Sequence, residues 1–150
     1  MMVNDDLYRD VILDHFRNPR NMGEIPCPDV KVEGVNPLCG DNLELTFTVR
    51  DGKIEDIRMK GNGCSISQSS ASMMTEALKG KSLAGSTELA AAFKKMLLEQ
   101  GGAENLPEDM EDLAALEGVR QYPVRIKCAL LAWNTLLQGL TEYEAKRRDS

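Results

Sequence analysis

The sequence is poor in aromatic residues and histidine and lacks any long hydrophobic run. Aromatic residues make up 5% of the 150 residues, so aliphatic and methionine side chains must fill most of the core. The apolar runs fall far short of the roughly 20 residues that a membrane-spanning helix needs. His15 is the only histidine, so a Ser-His-Asp or Cys-His catalytic arrangement would have to use it. Because it continues the apolar face of a predicted helix, a packing role is favoured.

The sequence also lacks a surplus of positive charge and a targeting signal. The net charge of −6 disfavours binding to nucleic acids and to anionic membranes, which attract basic surfaces. The N-terminal residues show no basic region followed by an apolar run, so we expect no signal peptide and a cytoplasmic protein. Thiols stay reduced in the cytosol. The four cysteines are therefore better explained as metal ligands, nucleophiles or packing residues than as disulfides.

Three strand signals in the first half of the chain predict a small antiparallel sheet. Residues 43–50 alternate apolar and polar side chains with a period of two, and an Asp-Gly dipeptide typical of hairpin turns follows. The returning segment changes phase near positions 55–56, which predicts a β-bulge there. An earlier apolar alternation, near residues 30–35, indicates the third strand.

Helical patterns precede and follow these strands. We predict helices over residues 7–16, 65–78, 88 to about 100, and 124–137, the last with Pro123 in its first turn, where proline is favoured. Strands followed by helices, without alternation of the two, are typical of an α+β fold, here a three-stranded antiparallel sheet packed against helices. No internal repeat or linker-like composition interrupts the chain, so we predict a single domain over residues 1–150.

The loop before the strongest strand contains two potential metal ligands. Cys39 and Asp41 flank Gly40, which permits a tight bend, and such a bend can direct a thiolate and a carboxylate at one ion. A buried loop cysteine beside a turn aspartate explains the same residues equally well. The loop alone does not decide between the two explanations.

Two further cysteines lie at predicted helix starts. Cys64 precedes Ser65, which forms an S-x-x-Q capping box with Gln68, so helix N–H groups should favour a thiolate there. Cys128 lies early in the last helix, and Arg125 lies three residues earlier on the same face. Taken alone, Cys128 is better explained as a core cysteine and Arg125 as a solvated side chain.

The topology favours convergence of these residues on one cation, although their spacing is not that of a zinc finger. Cys39 precedes a strand, Cys64 ends the hairpin, and Cys128 begins a helix that packs on the sheet. Three thiolates and Asp41 suit tetrahedral zinc, and they could also hold an iron–sulfur cluster. Cys27, between two prolines, lacks such a context and is predicted to be an ordinary loop or packing thiol.

Four segments carry a resemblance to a known family. They are Leu38-Cys39-Gly40-Asp41, Gly63-Cys64-Ser65-Ile66-Ser67, Ala71-Ser72-Met73-Met74-Thr75-Glu76 and the stretch from Arg120 to Trp133. With these segments the chain resembles the SufU proteins, the zinc-dependent branch of the IscU/NifU-N-terminal family. The resemblance covers nearly the whole chain.

The resemblance implies a fold, a function and a set of site residues. It implies an IscU/SufE-like α+β fold and zinc ligands at Cys39, Asp41, Cys64 and Cys128. It also implies sulfur transfer, for which we expect catalytic roles of Cys39, Asp41 and Arg125, the last by offsetting the negative charge of the site. A SufS-type, pyridoxal-phosphate-dependent cysteine desulfurase would supply the sulfur as a persulfide, and iron–sulfur assembly proteins would receive it. Cys39 is the expected acceptor, because its glycine-flanked loop can move.

Two features separate this interpretation from the alternative, an iron–sulfur scaffold of the IscU type. Those scaffolds have a histidine directly before the last cysteine, where this chain has Lys127, a poor metal ligand when protonated. The segment between Cys64 and Cys128 is also longer than in the scaffolds, and we expect the extra residues near positions 100–113. A purely structural zinc site is a third and more distant alternative.

Overall fold

The computed structural model describes the backbone of residues 5–37, 40–99 and 111–148. The elements are α1 (Asp5–Arg17), β1 (Val30–Asn36), β2 (Asp41–Arg50), β3 (Lys53–Asn62), α2 (Ser65–Leu78), α3 (Leu83–Leu98), α4 (Glu111–Ala114), a 3-10 helix (Ala115–Gln121) and α5 (Pro123–Arg148). The predicted α+β class, with one three-stranded antiparallel sheet, is confirmed. Within the described ranges, no helix is both long and apolar enough to cross a membrane.

The sheet has the order β1-β2-β3, so β2 pairs with both neighbours. Asn36 at the end of β1 lies opposite Asp41 at the start of β2, and Asn62 ends β3 at the same end of the sheet. The predicted bulge is confirmed, because the register of β2 and β3 shifts and leaves Glu55 without an opposite residue. This pairing places three strand ends side by side, where the candidate site lies.

The hydrophobic core lies between one face of the sheet and the helices. Trp133 of α5 is fully buried, and its ring stacks on Phe93 with the centroids 4.6 Å apart. Its indole N–H donates to Ser70 Oγ at 3.1 Å, and Ser70 Oγ donates to the carbonyl of Ala129 at 2.7 Å. The single tryptophan thus supplies apolar area with its polar group satisfied, which fixes α5 against α2.

The opposite face of the sheet carries an ion-pair network around Glu24. Lys60 Nζ lies 2.7 Å from Glu24 Oε1, Lys31 Nζ lies 3.2 Å from Oε2, and both lysines approach Glu44 within 4 Å. Hydrogen bonds from Lys60 and then Lys31 lower the pKa of Glu24, and the bond to Glu24 raises the pKa of each lysine. Glu24 and both lysines are exposed, so the network orients the loop before β1 and adds little stability.

Two helix boundaries differ from the predictions. The predicted start of α3 at residue 88 is wrong, because Ser82 Oγ accepts the N–H of Gly85 at 2.9 Å and caps a helix that begins at Leu83. The predicted end of the last helix at residue 137 is also wrong, because α5 continues to Arg148. Cys39 and positions 100–110 of the predicted insertion lie outside the described residues.

Gly34 of β1 is a point of close approach between the sheet and α5. A Cβ atom at this position would overlap Thr135 Oγ1 and lie 3.2 Å from Leu131 Cδ1, and both partners are buried. We therefore expect Gly34→Ala to lower the free energy of unfolding in urea by about 1–3 kcal/mol. Thr135→Ala removes the overlapping oxygen and should recover most of this loss in the double variant. Strictly additive losses would contradict the packing explanation.

Candidate metal centre

Three of the predicted ligand residues meet at the end of the sheet. Asp41, Cys64 and Cys128 each contribute one ligand atom, and these atoms all lie within 4.8 Å of one another. Asp41 is the first residue of β2, Cys64 directly precedes α2, and Cys128 lies in the second turn of α5. Three elements far apart in sequence therefore converge on one point. Cys39, the fourth predicted ligand, lies outside the described residues.

The carboxylate of Asp41 is buried, and half of it is unsatisfied. Its side chain is 1% exposed, and Oδ1 accepts the backbone N–H of Cys64 at 2.9 Å. Oδ2 is inaccessible to solvent, and no hydrogen-bond donor within the described part of the chain reaches it. A buried carboxylate oxygen without a partner is costly. A cation held with the neighbouring thiols would remove that cost.

Cys64 caps α2 through its own sulfur. Its Sγ accepts the backbone N–H of Ser67 at 3.5 Å, and Ser65 is the first helical residue. The predicted start of the helix at Ser65 is confirmed, but the predicted capping box formed by Ser65 and Gln68 is wrong. The positive end of the helix dipole therefore faces a sulfur atom of the site, where it stabilises negative charge.

Gly63 leaves the room that this arrangement needs. A Cβ atom at Gly63 would overlap Ser67 Oγ and lie 2.7 Å from Asp41 Oδ1. Any side chain here would push the cap of α2 and the Asp41 carboxylate apart. The Gly-Cys pair between β3 and α2 thus sets the distance between two ligand residues.

Cys128 is fully buried and contacts a residue that sequence reasoning missed. Asn36, 7% exposed, donates from Nδ2 to Cys128 Sγ at 3.8 Å, while Sγ donates to the carbonyl of Val124 at 3.6 Å. The only signal in the sequence is that Asn36 opens the segment leading to Cys39. Its contact with Cys128 spans 92 positions and could not be read from spacing.

The donor set fits a divalent metal ion. Two thiols and a carboxylate are typical zinc ligands, and a fourth protein ligand would complete the tetrahedral coordination of a structural site. The orphaned Asp41 Oδ2 is the observation that separates this cluster from a chance meeting of polar side chains. The geometry therefore supports a metal centre at the end of the sheet.

The other predicted residues lie around or away from this centre. Arg125 is exposed in the first turn of α5 and lines a cleft of about 640 Å³ together with Arg9 and Ile66. Lys127 is exposed. Cys27 is exposed at a φ of 56° in the loop before β1, at the opposite end of that strand from Asn36. Cys27 does not join the cluster that Asp41, Cys64 and Cys128 form.

His15 is buried, as predicted, but its partners are polar. Its Nδ1 lies 2.8 Å from Ser72 Oγ, and its Nε2 lies 3.2 Å from Asp112 Oδ2 and 4.0 Å from Glu76 Oε1. Both carboxylate side chains are half exposed at 52%. The ring therefore ties α1 to α2 and α4 through hydrogen bonds.

Comparisons with known proteins give a consistent set of relatives. Residues 7–150 match the family described as the NifU-like N terminal domain. The zinc-dependent sulfurtransferase SufU of Bacillus subtilis is 43% identical over 140 residues, 93% of each chain. The iron-sulfur cluster assembly scaffold protein IscU of Streptococcus pyogenes is 40% identical over 134 residues, 89% of this chain and 82% of that protein. The crystal structure of FiSufU from Fervidobacterium islandicum, described as a scaffold protein for the SUF system, has a TM-score of 0.80 at 32% identity and covers 87% of this chain and 94% of its own.

Proposed function

Because the chain belongs to the NifU-like N-terminal domain family of iron–sulfur cluster assembly proteins, we propose that it is a zinc-dependent sulfurtransferase. The observation that carries the proposal is the meeting of Asp41, Cys64 and Cys128 around a buried carboxylate oxygen that no donor among residues 5–37, 40–99 and 111–148 reaches. The identity of 43% to the Bacillus subtilis sulfurtransferase supports sulfur transfer. So does Lys127, at the position where scaffolds of the IscU type have a histidine.

The residues that would hold zinc are Asp41, Cys64, Cys128 and Cys39. Cys39 is proposed as the fourth ligand because only Gly40, whose φ of 71° bends the chain, separates it from Asp41. When bound, zinc would supply the positive charge that keeps the thiols deprotonated. Three thiolates and a carboxylate exceed the charge of a divalent ion, and we assign the guanidinium of Arg125, in the first turn of α5, to offset the remainder.

Cys39 is the proposed sulfur acceptor. Its thiolate would attack the outer sulfur of the donor's persulfide, forming a new S–S bond while the donor's S–S bond breaks and its cysteine leaves as a thiolate. This exchange needs no external oxidant or reductant. Cys64 is held as the cap of α2, and Cys128 is fully buried on α5, so neither is as well placed to meet a second protein.

The surroundings of the site support docking of a protein partner. Val35, Tyr122 and Val124 are 66%, 60% and 54% exposed. Val35 lies beside Asn36 in β1, and the other two lie around the start of α5. These exposed apolar side chains would contribute apolar contacts to a docked partner. The proposed partner is a SufS-type cysteine desulfurase, and iron–sulfur assembly proteins would receive the sulfur.

A scaffold that assembles an iron–sulfur cluster is the second candidate. The 40% identity to the Streptococcus pyogenes scaffold protein favours it, and thiolates and a carboxylate can also bind iron. In that case the cluster is the cargo of the site, and no single cysteine needs to act as acceptor.

A desulfurase assay joined to metal analysis of the same sample tests the two functions. We expect colourless protein with about one zinc per chain, as in structural zinc sites. Adding it to a SufS-type desulfurase and cysteine should increase alanine formation. Brown protein that contains iron and labile sulfide, with no increase in alanine, would overturn sulfur transfer in favour of the scaffold. Cys27→Ser is the matched control and should behave as the parent chain.

A further inference from the structure

Asn36 places a neutral hydrogen-bond donor against one sulfur of the site. It is the last residue of β1 and is 7% exposed, and its Nδ2 lies 3.8 Å from Cys128 Sγ. Sulfur has a larger radius than oxygen, so hydrogen bonds to it are longer. A buried amide needs a partner for its N–H groups, and Asn36 finds one in a predicted metal ligand.

Each of the three converging ligand residues accepts an N–H group from the described part of the chain. Asp41 Oδ1 accepts the N–H of Cys64, and Cys64 Sγ accepts the N–H of Ser67. Both of these donors are backbone groups, which every residue except proline supplies. Cys128 Sγ accepts from the side chain of Asn36 instead. Of the three contacts, only this one depends on which side chain the donor residue carries.

The contact with Asn36 persists whether or not Cys128 carries a proton. The thiol of Cys128 donates to the carbonyl of Val124 at 3.6 Å, and a thiolate has no proton for that bond. The amide of Asn36 can donate to either form. When a metal is bound, the donor from β1 therefore still acts on the sulfur.

We propose that Asn36 is a positioning residue of the metal site, which directs Cys128 Sγ towards the ion and withdraws charge from its thiolate. The inference rests on the proposed metal site but not on sulfur transfer. Hydrogen bonds to ligand atoms orient them and tune the metal, and loss of such a partner typically weakens metal binding by about 10–100-fold. Asn36 contributes this effect without adding charge to a site already rich in anions.

Cobalt substitution separates this role from simple packing. Co²⁺ bound to thiolates shows sulfur-to-metal charge-transfer absorption, whose position reports the charge on sulfur and whose intensity reports the number of thiolates. In Asn36→Ala we expect Co²⁺ affinity, measured by chelator competition, to fall by about tenfold. The band should move to longer wavelength at unchanged intensity. Asn36→Asp should weaken binding further, because an ionised carboxylate cannot donate and adds like charge.

Asn62→Ala is the matched control, an exposed asparagine at the same end of the sheet, and should change neither quantity. Unaltered affinity and band position in both Asn36 variants would overturn the inference. So would a lower affinity with both the position and the intensity of the band unchanged, since Cys128 would then be neither displaced nor altered in charge. A parent chain that binds Co²⁺ without thiolate absorption would instead refute the metal site itself, and no desulfurase is needed for any of these readings.

Discussion

Replacing Asp41 by asparagine should abolish stable metal binding while leaving the fold intact. Asparagine matches the size of aspartate and can still accept the N–H of Cys64 through its oxygen. It loses the negative charge and puts an amide nitrogen or a neutral oxygen at the buried position of Oδ2, which has no donor within the described residues. We expect the loss in zinc affinity to exceed the roughly 10–100-fold cost of removing an outer-shell partner.

Zinc content after dialysis against a chelator measures this effect. Asp56→Asn is the matched control, because Asp56 also accepts a backbone N–H, that of Ile57 at 2.9 Å, but on the opposite half of β3. It should retain zinc like the parent chain. Equal zinc retention by Asp41→Asn would show that the carboxylate is not a ligand, and the orphaned oxygen would then need another explanation.

The largest expected functional loss is that of Cys39→Ser. If Cys39 accepts the sulfur, serine removes the sulfur atom that would carry the persulfide, and stimulation of a SufS-type desulfurase should fall to the background rate. Cys64 and Cys128 cannot substitute readily, because one caps α2 and the other is fully buried. The variant should still fold, because serine is close to cysteine in size and the described core around Trp133 keeps all of its residues.

Mass spectrometry of the chain after reaction with desulfurase and cysteine provides a direct reading. The parent chain should gain one sulfur atom on the peptide that contains Cys39, and Cys39→Ser should gain none. Cys27→Ser removes an exposed cysteine at the far end of β1 and should gain sulfur normally. Persulfide on Cys64 or Cys128 in the Cys39→Ser chain, with full stimulation, would reassign the acceptor.

Local signals were sufficient for the sheet and for α2. The period-two alternation of residues 43–50 and the phase slip near Glu55 are properties of single strands, and both reappear in the register of the sheet. The boundaries of α3 and α5 depend on weaker or longer-range effects. The first turn of α3 contains Gly85, a poor helix former, so the cap at Ser82 is hard to recognise in the sequence.

Gly139 shows how packing can hide a helix from sequence reasoning. Glycine usually marks the end of a helix, yet α5 continues through this position. A Cβ atom at Gly139 would lie 3.1 Å from Phe47 Cε2 and 3.1 Å from Val32 Cγ1, so glycine allows the helix to pack closely on the sheet. Glycine is needed at this position for the packing of α5 on the sheet, which no local sequence pattern reveals.

The candidate site was partly predictable for a topological reason. Cysteines that end a hairpin and begin a packing helix must come near one another, which brought Cys64 and Cys128 together in the prediction as in the structure. The details depend on three-dimensional contacts. The sulfur of Cys64 caps α2, and the amide of Asn36 contacts Cys128. Both contacts join residues whose interaction appears only after folding.

X-ray absorption spectroscopy of the zinc-loaded chain tests the metal centre most directly. Zinc bound by Cys39, Asp41, Cys64 and Cys128 should show three sulfur scatterers and one oxygen scatterer in its nearest shell. Cys128→Ser should lower the sulfur count by one. A shell of oxygen and nitrogen alone, or a sulfur count unchanged in Cys128→Ser, would contradict a metal site at this end of the sheet.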